Sequence, residues 1–273
     1  MPTIAEKVAE LRRLHQPGAP FVIANAWDAG SARILQGLGA KALATTSSGF
    51  ALTLGRRDYG VAREEALAHC RLVAGGVDIP LSADLENGFG LSPEDAAATI
   101  RVASETGLAG GSIEDTSRDA DEPIIDQALA IERIAAAVEA ARAASSGFVL
   151  TARAEGLLWG RGDLKEIIAR LQAFDEAGAD VLFAPGLPDL AAVKAVCSSV
   201  DKPVNVLVLG GLARHSIEDF AAAGVARVSL GGALAFGAYG SLIETAQVIL
   251  RDGSFSALAG NREATKRIKG WLA

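Results

Sequence analysis

The chain alternates short apolar runs with longer amphipathic stretches over most of its length. The short runs are rich in Val, Ile, Leu or Phe and are bounded by turn residues, which is typical of buried strands. Eight of them predict strands, at Phe21–Asn25, Ala42–Thr46, Pro80–Asp84, Gly110–Glu114, Phe148–Arg153, Val181–Ala184, Pro203–Leu207 and Arg227–Leu230.

The stretches between these runs have the spacing of helices. Ser92 precedes Pro93 and two acidic residues, a pattern typical of a helix N-cap with proline at the first helical position. Apolar residues recur at helical spacing over Leu164–Ala177 and stop before Gly178, and an Ala-rich helix is predicted over Ile124–Ala144.

Eight strands alternating with helices in a chain of 273 residues predict a (β/α)8 TIM barrel that forms a single domain over residues 1–273. A doubly wound open sheet is the alternative, but its first strand is usually followed by a Gly-rich turn. Here the sequence Ala26-Trp27-Asp28-Ala29-Gly30 follows instead.

The end of the chain is longer than one closing helix requires. A helical stretch begins after Gly231-Gly232, and a second, basic helix is predicted over Asn261–Trp271. A terminal helix that cannot be buried on its own barrel often packs on another subunit. We therefore predict that residues 232–273 form a helical extension that packs on a partner, in a homodimer or homotetramer.

Charge and composition exclude several classes of partner. The net charge is −7 and the pI is about 5.1, which argues against binding of nucleic acid or an anionic membrane. Cys70 and Cys197 are far apart and lack metal-ligand spacing, so a disulfide scaffold is not expected and a reducing cytoplasm fits. The sequence predicts no membrane span and no signal peptide.

Carboxylates and one guanidinium follow three consecutive strands. Asp84 and Glu86 stand at the end of the third strand, Glu114 ends the fourth, and Arg153 ends the fifth. These ends meet at one mouth of a barrel, where three carboxylates repel each other and a single arginine cannot neutralise them. A hard cation such as Mg²⁺, with Mn²⁺ as an alternative, is predicted there. A structural salt-bridge cluster around Arg153 remains the other interpretation.

Further candidates follow the first two strands. Thr45-Thr46-Ser47-Ser48-Gly49 offers hydroxyl and backbone donors that suit a carboxylate, although an ordinary capped turn has the same composition. Asp28 could cap a helix or line the site, Trp27 could line the site or fill the core, and Asp58 lies in a turn-like loop. His15, His69 and His215 share no strand end, so structural roles are expected for them.

Two glycine pairs favour a different class of enzyme. Gly210-Gly211 and Gly231-Gly232 resemble the phosphate cradle that many barrels form after their last two strands, as in phosphosugar enzymes. That alternative leaves the acidic cluster at the mouth unexplained.

Taken together, the motifs resemble the isocitrate lyase and phosphoenolpyruvate mutase superfamily, and they are most similar to its methylisocitrate lyase-like and phosphonomutase-like members. The resemblance extends over nearly the whole chain, and its most specific part is Asp84-Leu85-Glu86-Asn87-Gly88-Phe89-Gly90. The other matching phrases are Asn25–Ala32, Thr46–Gly49, Arg57-Asp58, Ser112–Asp115, Ala152–Glu155 and, more weakly, Pro203–Val206 and Ala226–Gly231.

The resemblance implies a 2-oxo acid bound through Mg²⁺ at the barrel mouth. Asp84 would ligate the ion directly, while Glu86 and Glu114 would hold it through waters. The remaining implied roles are a place near the metal for Asp58, binding of a carboxylate or enolate oxygen by Arg153, and substrate contacts from Trp27, Asp28, Ser47, Ser48, Gly49 and Asn205. The resemblance also implies that the last helix is swapped between subunits.

One segment departs from the family pattern. The carbon–carbon lyases of the superfamily carry a Lys-Arg-Cys-Gly-His-like motif in a loop after the fourth strand, and its cysteine serves proton transfer. Here the segment reads Thr116-Ser117-Arg118-Asp119-Ala120-Asp121-Glu122-Pro123, without Cys, His or Lys. The residue that protonates an enolate is therefore not identified by the resemblance.

From these patterns we expect a Mg²⁺-dependent lyase that cleaves a carbon–carbon bond of a small 2-oxo or 2-hydroxy di- or tricarboxylate, similar to methylisocitrate or oxaloacetate, through an enolate. An enzyme of phosphorus–carbon bonds, such as a phosphonopyruvate hydrolase or phosphoenolpyruvate mutase, is the alternative. A non-catalytic barrel that binds a 2-oxo acid is a third interpretation.

Overall fold

The computed structural model describes residues 2–272, apart from the side chain at position 261. Eight parallel strands close into a barrel in sequence order, which confirms the predicted TIM barrel and all eight predicted strands. The strands are β1 Phe21–Ala26, β2 Leu43–Thr45, β3 Leu81–Asp84, β4 Gly110–Glu114, β5 Val149–Arg153, β6 Val181–Phe183, β7 Val204–Leu207 and β8 Arg227–Ser229.

The helices surround the barrel and begin at side-chain caps in most cases. Ser92 caps α5 with Pro93 in its first turn, as its sequence predicts. The helices are α1 Ile4–Leu14, α2 Ala29–Gly37, α3 Ser47–Thr53, α4 Arg63–Ala74, α5 Pro93–Ser104, α6 Gln127–Ala143, α7 Leu164–Glu176, α8 Leu190–Cys197, α9 Ile217–Ala222, α10 Ala233–Asp252 and α11 Asn261–Trp271, with 3-10 turns at Gly210–Arg214 and Ser256–Leu258.

Most predicted bounds differ from the structure by at most one residue, and two segments differ by more. Ser47 and Ser48 begin the short helix α3 rather than lying in a turn, because the Thr46 hydroxyl caps the backbone N–H of Gly49. The Ala-rich helix α6 begins at Gln127, three residues after the predicted Ile124. Ile124 instead pairs with Thr116 in an isolated bridge that folds the loop after β4 back on itself.

The amino-terminal helix closes one end of the barrel. Val8, Leu11 and Leu14 of α1 belong to a buried cluster with Phe21 and Val149, which stand at the first positions of β1 and β5. This apolar plug seals the end where the strands begin. Access to the interior is therefore from the opposite end, where the strands finish.

The middle layer of the barrel interior is lined mainly by small or polar side chains. TIM barrels usually fill this layer with bulky branched side chains. In this chain the inward positions of several strands carry Ala44, Ser82, Ser112, Thr151 and Arg227, so space remains along the barrel axis. That space continues upward to the mouth.

The carboxyl-terminal helices leave apolar surface uncovered. On α10, Phe236, Leu242 and Ile243 are each more than half exposed, and Val22 on the outer side of β1 is 44% exposed. By length and composition alone α10 could also cross a membrane. The last helix returns to its own barrel, where Trp271 lies against Gly37 of α2. Packing of residues 232–273 on a partner stays a prediction.

Candidate active site

A cavity of about 300 Å³ opens at the carboxyl ends of the strands and reaches down into the barrel. Its upper walls carry Asp58, Asp84, Glu114 and Arg153, four of the residues predicted to form the site. Ser47, Ser48 and Asn205 line it as well. The fold thus brings seven of the predicted residues to one space.

Asp84 is fixed by backbone and hydroxyl donors at the end of β3. Its carboxylate accepts hydrogen bonds from the N–H groups of Ser47 at 3.2 Å and Glu86 at 3.2 Å. Its own N–H donates to the Thr45 hydroxyl at 2.9 Å. These contacts hold the carboxylate in one orientation at the edge of the cavity.

Arg153 lies among three carboxylates. Its guanidinium is 3.1 Å from Glu114 and 3.8 Å from Asp84, and its Nε donates to Glu155. Burial alone would lower the pKa of Arg153, but Glu155, Glu114 and Asp84 raise it well above its ordinary value. The guanidinium also lies 5.1 Å from the centre of the Phe183 ring, so it stays charged and held in place.

Glu114 is buried and accepts three hydrogen-bonding or ionic contacts. The Tyr59 hydroxyl donates to it at 2.8 Å, the Thr116 hydroxyl at 2.7 Å, and Arg153 lies on its other oxygen. Burial and the charge of Asp84 raise the pKa of Glu114, although Arg153 lowers it in part. Tyr59 was not predicted as a site residue, and it has a backbone φ of +62°.

Glu86 points away from the cavity in this structure. Its carboxylate is only 3% exposed and forms an ion pair with Arg118, a residue of the loop after β4. Arg118 lies 5.4 Å from the ring centres of both Tyr59 and Phe89. Burial, followed by the charge of Asp84, raises the pKa of Glu86 to about 8. The loop that lacks Cys, His and Lys therefore contributes a cation to the rim.

Asp58 is close to Asp84 across the cavity mouth. Burial and the negative charge of Asp84 raise the pKa of Asp58, and a hydrogen bond with Ser47 opposes that rise. The Ser48 hydroxyl is 3.1 Å from the Thr46 hydroxyl, and Ser48 remains on the cavity wall. A polar rim thus extends from β2 to the Asp58 loop.

Three predicted substrate contacts lie away from the cavity. Asp28 caps α2 by accepting from the Ser31 N–H at 2.6 Å. The Trp27 carbonyl accepts from His69 at 2.9 Å. A Cβ on Gly49 would lie 2.6 Å from the Thr46 methyl carbon, so the glycine permits close packing of α3. In this structure these residues support the wall rather than line it.

A second layer of ionisable groups lies behind Arg153. Glu155 is fully buried, and burial raises its pKa to about 8; burial also raises the pKa of Asp115 to about 6. One carboxylate oxygen of each accepts no hydrogen bond from the described residues. Asp115 lies 3.3 Å from Arg170, which balances part of its charge.

Some of the site residues that sequence reasoning missed have a local signal in the sequence, and others have none. Glu155 stands two positions after Arg153, so the same alternation that paired Asp84 with Glu86 would have placed both on one side of the strand. Arg118 and Tyr59 reach the site only through loop closure, which no local pattern encodes.

The donors at the mouth fit a divalent cation. Asp58, Asp84, Glu86 and Glu114 supply hard oxygen ligands, and burial, followed by the negative charge of Asp84, raises the pKa of Asp58, Glu86 and Glu114. Within residues 2–272 no three His, Cys, Asp or Glu side chains are grouped as direct ligands. A divalent cation held here would have few direct protein ligands.

The comparisons with known proteins place the chain in a family. The family model described as phosphoenolpyruvate phosphomutase matches residues 11–250. The chain belongs to this family. The resemblance read from the motifs to the isocitrate lyase and phosphoenolpyruvate mutase superfamily is thereby confirmed.

Individual relatives span most of the chain. It is 29% identical to the 2-methylisocitrate lyase of Escherichia coli, over 78% of this chain and 77% of that protein. The crystal structure of a candidate lyase or mutase from Burkholderia cenocepacia has a TM-score of 0.94 and 47% identity, covering 99% of this chain and 96% of that one. Oxaloacetate acetylhydrolase in complex with its product oxalate has a TM-score of 0.86 and 25% identity, covering 98% and 94%. The named relatives include a lyase, a candidate lyase or mutase and a hydrolase, so the chain belongs to a family of enzymes.

Proposed function

We propose that the protein is a Mg²⁺-dependent lyase, with Mn²⁺ as a possible substitute, that cleaves a carbon–carbon bond of a small 2-oxo or 2-hydroxy di- or tricarboxylate through an enolate. The observation that carries this proposal is Arg153, a permanently charged guanidinium at the wall of a cavity whose other upper groups are carboxylates. Such a cavity can bind an anionic oxygen and a cation next to each other.

The volume of the cavity supports a small substrate. At about 300 Å³ it lies at the lower end of the range for ligand sites. Leu158, Phe183, Leu209 and Phe236 form an apolar wall beside the charged one. A short carboxylic acid with an apolar or methylated carbon would match both walls.

Asp84 would hold the cation directly, and Glu86 and Glu114 would hold it from further out. The bound cation supplies Lewis-acid stabilisation of negative charge on the substrate oxygens. For Glu86 to take part, its ion pair with Arg118 has to open, which makes the loop after β4 responsive to the ion.

The chain's own residues would bind and orient the substrate. Arg153 would donate to the carboxylate or to the oxygen that becomes negative, and this charge is already placed before the reaction begins. Ser47 and Ser48 would add donors from the rim of β2. Glu155 and Glu114 fix the guanidinium from below and from the side, so its position does not depend on the substrate.

The cavity lining contains no Cys, Lys or His side chain among the described residues. Tyr59 also lines the cavity, and its hydroxyl donates to Glu114 at 2.8 Å. Decarboxylation or hydrolysis of an oxaloacetate-like acid therefore suits the site as well as retro-aldol cleavage of a methylisocitrate-like acid does. The names of the relatives include all of these types of chemistry.

A panel of substrates tests the proposal. Methylisocitrate, oxaloacetate, 2-oxoglutarate, pyruvate and phosphonopyruvate would be titrated calorimetrically with and without Mg²⁺, and each binder would be followed by product analysis. Mg²⁺-dependent binding with a carbon–carbon cleavage product is expected. Release of phosphate from phosphonopyruvate would assign phosphorus–carbon chemistry instead, and binding without any product would indicate a non-catalytic barrel.

A further inference from the structure

Beneath the mouth, the cavity ends on a buried arginine that the proposed chemistry does not use. Arg227 is the first residue of β8, is 5% exposed, and lines the lower part of the cavity. Its guanidinium crosses the barrel interior and donates to the Thr151 hydroxyl on β5 at 3.2 Å. The side chain therefore forms part of the cavity floor.

All the groups that Arg227 contacts are neutral. Its Nε donates to the Asn205 side-chain oxygen at 2.8 Å, and its Nη1 lies 3.3 Å from Nε2 of His15. His15 is neutral because burial lowers its pKa to about 3, and its Nδ1 lies 2.7 Å from the Leu11 carbonyl, which leaves Nε2 as an acceptor. No carboxylate of residues 2–272 lies within ion-pair distance of Arg227.

A buried guanidinium without an opposite charge is costly. Burial lowers the pKa of Arg227 to about 9, and no carboxylate raises it again. Arg153, which lies nearer to the mouth at the end of β5, has three carboxylates around it. The fold therefore pairs the guanidinium of Arg153 with carboxylates and leaves that of Arg227 without an opposite charge.

Unused donors surround the same space. A guanidinium has five N–H groups, and three of those of Arg227 are directed to Asn205, Thr151 and His15. The hydroxyls of Ser82 and Ser112 also line the cavity, and neither makes a hydrogen bond with any described residue. Donors of this kind require acceptors, and an anion supplies several at once.

The other walls of the cavity are unsuitable for a second anionic group. The upper wall carries Asp58, Asp84 and Glu114, which would repel a carboxylate, and another part of it is apolar. Ser47 and Ser48 add neutral donors at the rim but no positive charge. A substrate that binds one carboxylate at Arg153 therefore has a single favourable direction for another, which is downward along the barrel axis.

We infer that the floor of the cavity is an anion subsite in which Arg227, with the hydroxyls of Ser82 and Ser112, binds the second carboxylate of the substrate. This inference rests on the proposed function and narrows it: the enzyme selects 2-oxo dicarboxylates over 2-oxo monocarboxylates. It also assigns the orientation of the substrate, with its second carboxylate inside the barrel rather than at the mouth.

Matched acids test the selection. Oxaloacetate would be compared with 2-oxobutanoate, and 2-oxoglutarate with 2-oxopentanoate, by calorimetry in the presence of Mg²⁺ at low temperature. Wild type is expected to bind at least one dicarboxylate about tenfold or more tightly than its partner, since a charge-assisted pair is lost with the carboxylate. Arg227→Met should bring that ratio close to one, while Arg227→Lys should restore part of it. Arg71→Met, on the exposed surface of α4, is the matched control and should leave the ratio unchanged.

A second variant covers the case in which Arg227→Met does not fold. Ser112→Val fills the lower cavity but keeps the guanidinium and its three contacts. It should also abolish the preference for the dicarboxylate. A preference retained in whichever of these variants folds would overturn the proposal.

A metal-free experiment separates this subsite from the proposed function. Crystals of wild type soaked in bromide with a chelator should show an anomalous peak within hydrogen-bond distance of the Arg227 guanidinium, and crystals of Ser112→Val should not. If none of the four acids binds to wild type, the proposed function fails, and the bromide peak alone then decides the subsite. Absence of the peak in wild type would overturn the subsite in that case.

Discussion

At the scale of single residues, the barrel mouth contains more carboxylates than guanidinium groups. Arg153 and Arg118 each pair with carboxylates, yet Asp58 and Asp84 keep charge that neither arginine neutralises fully. The orientation of Asp84 is fixed by the backbone, because N–H groups hold both of its oxygens. Its removal should therefore separate the chemistry from the fold.

Asp84→Asn should lower metal-dependent turnover about a hundredfold or more, since the proposed direct ligand to the cation is lost. The unfolding temperature should stay the same or rise, because one of several repelling carboxylates has become neutral. Kinetics as a function of Mg²⁺ concentration and thermal unfolding measure the two effects. Glu132→Gln on the exposed side of α6 is the control, and unchanged Mg²⁺ dependence in Asp84→Asn would remove Asp84 from the metal site.

Arg153→Lys should lower kcat/KM by about a hundredfold, although the positive charge is kept. The guanidinium contacts Glu155 through Nε and Glu114 through Nη1, and an ammonium group cannot reach both. Substrate affinity and rate should fall together, because the charge acts in the ground state and in the transition state. Steady-state kinetics with Arg71→Lys as control measure the effect, and unaltered parameters would place Arg153 outside the reaction.

The buried acid Glu86 predicts a pH dependence of the metal-free protein. Its pKa rises from an ordinary value of 4.5 to about 8 in the folded chain. A carboxyl of this kind stabilises the fold below its unfolded pKa and loses that contribution as the pH rises through the folded value. The free energy of unfolding in the presence of a chelator should thus decrease between about pH 5 and pH 8.

Urea unfolding at several pH values measures this decrease. Glu86→Gln, which has no proton to lose, should show a smaller dependence over the same range, and Glu132→Gln should behave like wild type. Equal slopes in wild type and Glu86→Gln would show that Glu86 is not the group that titrates.

At the scale of single elements, the sequence predicted most of what the structure contains. All eight strands were recognisable because each is a short, mostly apolar run, and the first five of the predicted strands also end in a charged or polar residue. The acids of the mouth were recognisable for the same reason, since a strand that ends in Asp84 or Glu114 has to place that charge at the mouth. α3 was missed because hydroxyl residues that favour turns also cap helices, and Thr46 does the latter.

The residues that sequence reasoning did not assign depend on register across the barrel. Arg227 reads locally as one charged residue in a strand, and its significance comes from facing Thr151 on the other side of the interior. Likewise, Arg118 belongs to the site because the Thr116–Ile124 bridge folds its loop inward. Contacts of this kind depend on closure of the whole barrel, so a single segment does not contain them.

The uncovered faces of α10 and β1 predict an oligomer. Leu242, Ile243 and Val22 are exposed apolar residues on a helix and a strand that a partner's carboxyl-terminal helix would cover. Leu242→Asp combined with Ile243→Asp should shift the protein from dimer or tetramer to monomer in sedimentation velocity. The same change at Leu72, which is 66% exposed on α4, should not. An unchanged profile in the double variant would count against the swapped extension.

At the scale of the whole molecule, the barrel is closed at one end and open to solvent at the other. α1 seals the end where the strands begin, and the polar middle layer gives the interior a depth that bulky residues would have removed. Charge varies along this depth: carboxylates dominate the mouth, and a single guanidinium lies at the floor. A dicarboxylic acid entering from solvent would meet the mouth, where the proposed cation binds, first and Arg227 at the floor last.

The contact between His15 and Arg227 joins positions 212 residues apart. During synthesis, α1 and seven strands are made before Arg227, so the floor of the cavity is completed only when the last strand of the barrel is present. An incomplete chain consequently has no site to which a ligand can bind, and a ligand cannot rescue it. Once β8 has closed against β1, any molecule that binds inside favours the closed barrel over every partly folded form, by an amount that grows with its concentration. Metabolite levels in the cell would then influence the lifetime of the finished protein while leaving its folding unaided.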